Sequence, residues 1–374
     1  MKKLTIIILA LSCFSCGVST EVEEGKDFDF SYTTDTVMVD PGDGLVFLRL
    51  GLSTADLSPD RNQLYNFNPV VPEIEVIDLE SLRLTNRIKM EKEGPTGTGR
   101  PRKIVISPDG KVFFVGFRDL REFDPSLTNM KTYKIQSETF EGLQPDESLE
   151  YNLTLSQDGK QVYASYEPNN MEQAKSGLAK LDLETMKLKT YPMEIWERMH
   201  AYVQSFIKDG LMVNQTNESA HIDPVDKRVL ISSANFNEVY ILDLETDSIS
   251  HKVFHSNLTE NSRKIPEAVS FEVNTPEDVE AVLAKSDGQV SFGRFYYDDF
   301  NKKFWRFSQE LDHKIGDSAV YKEVVTLFDE DLNQLHEEVF PGDYLGFKFF
   351  REGKLWSYVN VEDELGFAVF TFNF

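Results

Sequence analysis

Ile104-Val105-Ile106-Ser107-Pro108-Asp109-Gly110-Lys111-Val112-Phe113-Phe114-Val115 sets two apolar, β-prone runs around a Ser-Pro-Asp-Gly turn, the composition of a hairpin. The pattern recurs on both sides. Ala55-Asp56-Leu57-Ser58-Pro59-Asp60 and Leu153-Thr154-Leu155-Ser156-Gln157-Asp158 place their aspartates at 60 and 158, each 49 residues from Asp109. A fixed period of that length marks a repeat architecture.

Each unit continues with a third strand ending in Asp-Leu or a variant of it, a polar turn and a fourth strand: residues 73–90, 120–135, 178–193 and 239–254. Four strands per repeat is the pattern of a propeller blade. Fainter first hairpins follow at His221–Ile231, Tyr297–Trp305 and Phe349–Trp356. The count is six blades, at 45–90, 100–135, 150–193, 220–255, 289–340 and 344–374, with a seventh as the alternative if 205–217 seeds another. The last blade has only three strands before the chain stops at Phe374, and the β-rich run 28–40 is otherwise unassigned. It is therefore expected to supply the missing strand and remove an exposed edge. The fold class read from the sequence is all-β, a β-propeller.

Two insertions carry helical signals. In 193–207, Ile195, Met199, Tyr202 and Phe206 recur at helical spacing. Near 275, Thr275 can cap a helix opening with Pro276, Glu277 and Asp278 and ending before Gly288.

The N-terminus reads as an address. Lys2 and Lys3 precede an apolar run, Leu4–Leu11, and then the small residues around Cys16. That run is too short to span a bilayer and reads as an export signal. Residues 1–15 are expected to be a lipoprotein signal peptide, Cys16 the lipidated residue, 16–27 an acidic tether and 28–374 the propeller domain. Several acyl chains on one cysteine hold a protein at a membrane durably, at about 0.8 kcal/mol per buried methylene. The expected location is the bacterial cell envelope, lipid-anchored at the outer membrane.

The formal net charge is −24, from 63 acidic and 39 basic residues. Such a polyanion repels phosphate backbones, which argues against nucleic-acid partners. The 28 Phe, 14 Tyr and 3 Trp supply a large core and exclude disorder as the state of the main body.

The stretches 106–116 and 76–88 resemble the blade consensus of TolB and YVTN-type propellers. The whole layout, from the Ser-Cys-Gly lipobox to Phe292–Phe307, resembles a group of Bacteroidota lipoproteins classed as a domain of unknown function with six-bladed-propeller character. The resemblance implies fold and anchoring but carries no catalytic residues, because propellers host many functions.

Motifs for chemistry are sparse. Gly94–Arg100 is glycine-rich, but Pro101 stands where a phosphate loop needs Ser or Thr and a strand follows, so an interblade turn is expected. His251 and His255 lack a third metal ligand nearby, and Asp329–Asn333 lacks the distal glutamate of a calcium loop. No cofactor is expected. In a propeller the innermost strand of each blade borders the central channel. The starts of those strands hold Arg100 and Arg102, Tyr151 and Asn152, His221, and Arg294. Converging at one mouth, these cations would suit a carboxylate or sulfated sugar. The competing arrangement pairs each arginine with Glu147, Glu150 or Asp223. The function expected is a non-catalytic binding or interaction module for a glycan, small anion or envelope protein. The alternative is a propeller hydrolase or lyase with His221 and Tyr151 as acid and base.

Overall fold

The repeated turn closes through its own side chains. In the computed structural model, which describes residues 28–374 apart from 118, 136–139, 171–172, 317 and 343–345, the Ser107 hydroxyl donates to Asp109 Oδ1 at 2.5 Å. Ser58 and Ser156 do the same to Asp60 and Asp158, at 2.5 and 2.6 Å. The residue after each aspartate has positive φ: Arg61 at 55°, Gly110 at 81° and Gly159 at 70°. Glycine adopts that conformation without a Cβ clash. Arg61 is held there by donating to the Phe350 carbonyl at 2.6 Å and to Asp299 at 3.0 Å, contacts that tie the first hairpin to the far end of the chain.

Six sheets follow in sequence. The first comprises Ala55–Leu57, Gln63–Asn68, Glu73–Asp78 and Arg83–Lys89. The second comprises Lys103–Ile106, Val112–Val115, Leu120–Phe123 and Met130–Tyr133. The third is built on Gln161–Pro168, Gly177–Asp182 and Leu188–Pro192, with Glu147–Leu149 and Thr154–Leu155 sharing its inner edge. His221–Val225, Arg228–Ser232, Glu238–Asp243 and Ile249–Val253 make the fourth. Ser291–Asp298, Lys303–Ile315, Ser318–Phe328 and Gln334–Val339 make the fifth.

The sixth sheet has Lys348–Arg351, Lys354–Val361 and Glu364–Asn373, and its fourth strand is Ser31–Met38 from the opposite end of the chain. Pairing is antiparallel and unbroken from Ser31 opposite Asn373 to Met38 opposite Gly366. The expected closing strand is therefore present.

Alternation along the strands buries one residue set between neighbouring sheets. Separate apolar clusters join the first sheet to the second, around Phe67, Ile104 and Phe114, and the second to the third, around Phe113, Leu155 and Val162. Others join the third to the fourth, the fourth to the fifth and the fifth to the sixth. A further cluster joins the sixth to the first through Phe349, Trp356, Phe367, Leu64 and Ile77. The architecture is all-β and propeller-like.

The insertions differ in part from the sequence reading. The second helix, Pro276–Leu283, forms with the expected cap: Thr275 Oγ1 accepts from the Asp278 N–H, and Asp278 Oδ2 accepts from the Thr275 N–H. The first helix covers only Ile195–His200. Phe206, placed in that helix by its spacing, lies instead in the strand Ser205–Lys208. This strand pairs with Leu211–Gln215 and, in parallel, with Ser270–Glu272. The stretch proposed as a seventh blade is thus a hairpin in a three-stranded side sheet, with Phe206 buried against Val273 and Val282. A strand 65 residues downstream outcompetes the local helical spacing, as tertiary pairing commonly does.

Candidate functional site

The first strands of all six sheets border one cavity of about 700 Å³. Leu57, Val105, Leu155, Asp223, Arg294 and Phe349 each face it from a different sheet. Arg294 reaches it because its strand bulges: pairing steps from Phe292–Ser308 to Phe295–Arg306, leaving Gly293 and Arg294 outside the ladder. A bulge re-aims a side chain in this way. The Arg294 guanidinium meets Asp223, with Nε at 2.8 Å from Oδ1 and Nη2 also on Oδ1, while the Phe295 N–H donates to Oδ2 at 3.3 Å. Asp223 is buried, yet 49% of the Arg294 side chain is accessible, so the channel is wide enough for solvent to reach the pair.

Three more ionisable groups lie along or beside the same channel. Asp56 accepts the Ile106 N–H at 2.7 Å. Burial pushes its carboxyl up to about 6, against the opposing pull of that bond and of Lys103. Burial likewise pushes the Lys103 amine down to about 8. The Arg294 charge adds to this, and Asp56 and Asp223 oppose it. His221 is held below its ordinary value, first by burial and then by Arg294 and Arg306, with Asp223 opposing.

These shifts set a pH dependence. Between about pH 4 and 6 the folded protein holds a proton on Asp56 that the unfolded chain has released, so stability falls as pH rises through that window. Asp56→Asn keeps an acceptor for Ile106 and should flatten the fall. Urea unfolding of both proteins at pH 4.5 and 6.5 checks it, and parallel changes would refute the assignment.

The inner edge of the third sheet breaks where it meets the mouth of the channel. Leu149 pairs with Tyr166 and Thr154 with Tyr163, so residues 150–153 oppose only two and loop outward. Tyr151 and Asn152 therefore sit at the rim with Ser53, Arg102 and Lys103, around a small hollow of about 140 Å³. The Arg102 guanidinium carbon lies 4.9 Å from the centre of the Phe117 ring and 5.5 Å from that of Tyr151, whose own centres are 5.5 Å apart. Both rings remain exposed, Phe117 by 55% and Tyr151 by 39%.

Of the residues singled out in the sequence, Arg102, Tyr151 and Asn152 come together, and Arg100 is exposed just before them. Arg294 and His221 lie deeper, around Asp223. Glu147 and Glu150 take other partners, Ser176 and Lys175, and among the described residues no carboxylate pairs with Arg100 or Arg102. The acid–base pair drawn from His221 and Tyr151 divides between two neighbourhoods. Phe117, Asp56 and Lys103 were missed. Lys103 carried a signal, since it lies two residues from the channel-facing Val105 and so shares its face.

Other motifs have structural partners. His251 stacks on Tyr240 at 4.1 Å and lies 3.2 Å from Glu238. Asp329 accepts from the N–H groups of Asp331 and Asn333 within its turn. Among the described residues no group of three or more His, Cys, Asp or Glu could hold a metal, and no helix is long and apolar enough to cross a membrane. Cys16 and the stretches expected to be a signal peptide and a tether lie outside the described residues.

Fold and channel together define a propeller-like all-β protein with a polar central cavity. Residues 27–339 match the family model described as a domain of unknown function, DUF4221, and the chain belongs to that family. A crystal structure of a DUF4221 member from Bacteroides vulgatus is similar at a TM-score of 0.65 and 12% identity, covering 92% of this chain and 98% of that one. This likeness shows the fold. A putative exported protein from Bacteroides fragilis reaches 0.47 at 8% identity, covering 91% and 95%. An oligogalacturonate lyase in complex with manganese reaches 0.40 at 10%, covering 91% of each chain. Neither bears on function at those scores. No curated protein matches.

Proposed function

We propose that this protein is a lipid-tethered binding module of the bacterial cell envelope, held at the outer membrane through Cys16. In this reading the six sheets are blades of one closed ring, whose channel mouth takes an anionic glycan or similar small acid without transforming it. Ring closure is supported by the apolar cluster between the sixth and first sheets and by the strand exchanged between the chain's ends.

The observation that carries the ligand is the arginine-aromatic rim. Arg102 stands against two exposed rings, with no carboxylate beside it among the described residues. A sugar presents apolar C–H faces to such rings, and a carboxylate or sulfate group pairs with guanidinium in a charge-assisted bond. Arg294 does not share this task, because its charge is already paired with Asp223. The aromatic pair also limits the competing demand on Arg102, since a cation held over rings keeps its in-plane N–H groups for a ligand.

Calorimetric titration with uronic-acid and sulfated oligosaccharides, against their neutral counterparts, tests the site. Arg102→Ala should weaken binding at least about tenfold, equivalent to roughly 1.4 kcal/mol, and Arg294→Ala should change it little. Equal affinity of wild type and Arg102→Ala would overturn the rim as the site. Acyl labelling that persists in Cys16→Ala would overturn Cys16 as the lipidated residue, and its absence from the wild-type protein would overturn the tether.

A further inference from the structure

The channel holds an amine that the arginine-aromatic rim does not use. Lys103 opens the strand Lys103–Ile106 at the inner edge of the second sheet. Its ammonium is within electrostatic reach of Asp56 on the first sheet, Asp223 on the fourth and Arg294 on the fifth. Charges carried by three other sheets can meet one side chain only across the channel that all the sheets border. Lys103 is nevertheless partly exposed and also lines the hollow at the mouth, so a molecule entering from solvent can approach it.

The groups around it are committed elsewhere. Asp223 pairs with Arg294, and Asp56 accepts the Ile106 N–H at 2.7 Å. Among the described residues Lys103 makes neither a hydrogen bond nor an ion pair. Its lone pair can therefore be freed by losing a proton alone, with no bond to another side chain to break.

The lumen also favours that loss. Burial first, then the Arg294 charge and that of Arg102, bring the amine down to about 8, against the pull of Asp56 and Asp223. Desolvation and a neighbouring cation are the two circumstances that make a lysine nucleophilic. At pH 7.4 an ordinary lysine is unprotonated in about one molecule in a thousand, whereas Lys103 is so in an appreciable fraction. Position, access, freedom from partners and charge environment thus coincide on one nitrogen.

We propose that Lys103 is a covalent capture site for a small polar aldehyde entering the channel. The Nζ lone pair adds to the aldehyde carbon while the carbonyl electron pair moves to oxygen. The two protons that the amine gives up leave with that oxygen as water, and a carbon–nitrogen double bond remains. Protonation of this imine by solvent restores the positive charge that Asp56 and Asp223 already face, so the charge balance of the lumen is kept. Hydrolysis reverses the step and returns the aldehyde unchanged. The capture requires Lys103 and no glycan on the rim, so it stands independently of the function proposed above.

Reductive trapping of the wild-type protein provides the test. Glyceraldehyde is added with cyanoborohydride, which reduces the imine to a stable secondary amine, and adducts are assigned to individual lysines by peptide mass spectrometry. At pH 7.5 Lys103 should carry at least about tenfold more adduct than the median of the other lysines. That ratio should hold below about pH 8 and fall above it, because ordinary lysines go on gaining free amine after Lys103 has finished titrating. A lysine labelled only because it is accessible would keep a constant ratio. Glucuronic acid as a second probe distinguishes the two sources of an aldehyde: enrichment with both probes assigns the reducing end of a sugar, and enrichment with glyceraldehyde alone assigns a free aldehyde. Labelling of Lys103 no greater than the median lysine with either probe would overturn the proposal, and so would a ratio that stays constant from pH 7 to 9.5.

Discussion

Deleting residues 28–38 should leave a chain that no longer unfolds cooperatively and that aggregates at micromolar concentration. The deleted strand fills the fourth place in the sixth sheet, so its loss strips the partner from Glu364–Asn373 along eight paired positions. That edge would be long and apolar, with Phe367, Val369 and Phe370 on the strand now at the rim, the kind of template that recruits other chains.

The packing loss is as large as the pairing loss. Phe30 lies 5.7 Å from Phe372 and 6.2 Å from Trp305, and Tyr32 lies 5.4 Å from Phe340 and 5.9 Å from Phe370. Full burial of an aromatic side chain contributes about 1.5–3 kcal/mol, and Phe28, Phe30 and Tyr32 are each partly buried, so together they are worth roughly 3–5 kcal/mol. Whole domains are stable by only about 5–15 kcal/mol. Thermal unfolding followed by circular dichroism and light scattering checks the outcome. A deletion variant melting as a monomer within about 5 °C of the full chain would mean that the sixth sheet holds without its exchanged strand.

The sheets were legible because their cause is local. The Ser-x-Asp turn, with a left-handed residue after the aspartate, is written within six residues, and the structure returns it at 58–61, 107–110 and 156–159. The strand Ser31–Met38 was legible by a different route, since one blade lacked a strand and one strand lacked a blade. The helix at Pro276 was read from its cap.

What stayed hidden depends on partners distant in the chain. Ile195, Met199, Tyr202 and Phe206 are all buried, as their spacing implied, but burial of the last came through pairing with Ser270–Glu272 and not through a continued helix. The site was legible in part for the same reason. Arg102 and Tyr151 were placed at the mouth by counting strand starts, whereas Phe117 enters from beyond the end of the neighbouring strand, Val112–Val115. The Arg294 bulge depends on Gly293 and on an arginine from the neighbouring strand.

That neighbouring arginine should be the most sensitive single position in the fold. Arg306 is 2% exposed, set between Trp305 and Phe307 in a strand that is otherwise apolar over this stretch. Its Nε donates to the Gly293 carbonyl at 2.9 Å, its Nη1 to the Asn237 side chain at 3.3 Å, and its Nη2 to the carbonyls of Ser233 and Phe236 at 3.0 and 3.3 Å. The guanidinium carbon also lies 5.0 and 4.9 Å from the ring centres of Phe292 and Phe295. One planar fork thus fixes the loop after the strand Arg228–Ser232 and, at the same time, the bulge that points Arg294 at Asp223. Arg306→Ala would leave several buried carbonyls without donors and open a void between two aromatic rings. Hydrogen bonds to charged groups are worth about 1.5–3 kcal/mol each and are not additive within a network, so a loss of about 3–5 kcal/mol is expected. Arg306→Lys should recover little, because an ammonium cannot reproduce the spread of a fork. Urea unfolding should show a lower midpoint with an unchanged slope. A loss below about 1 kcal/mol in both variants would show that the bulge and the Arg294–Asp223 contact are held by the surrounding sheets without it.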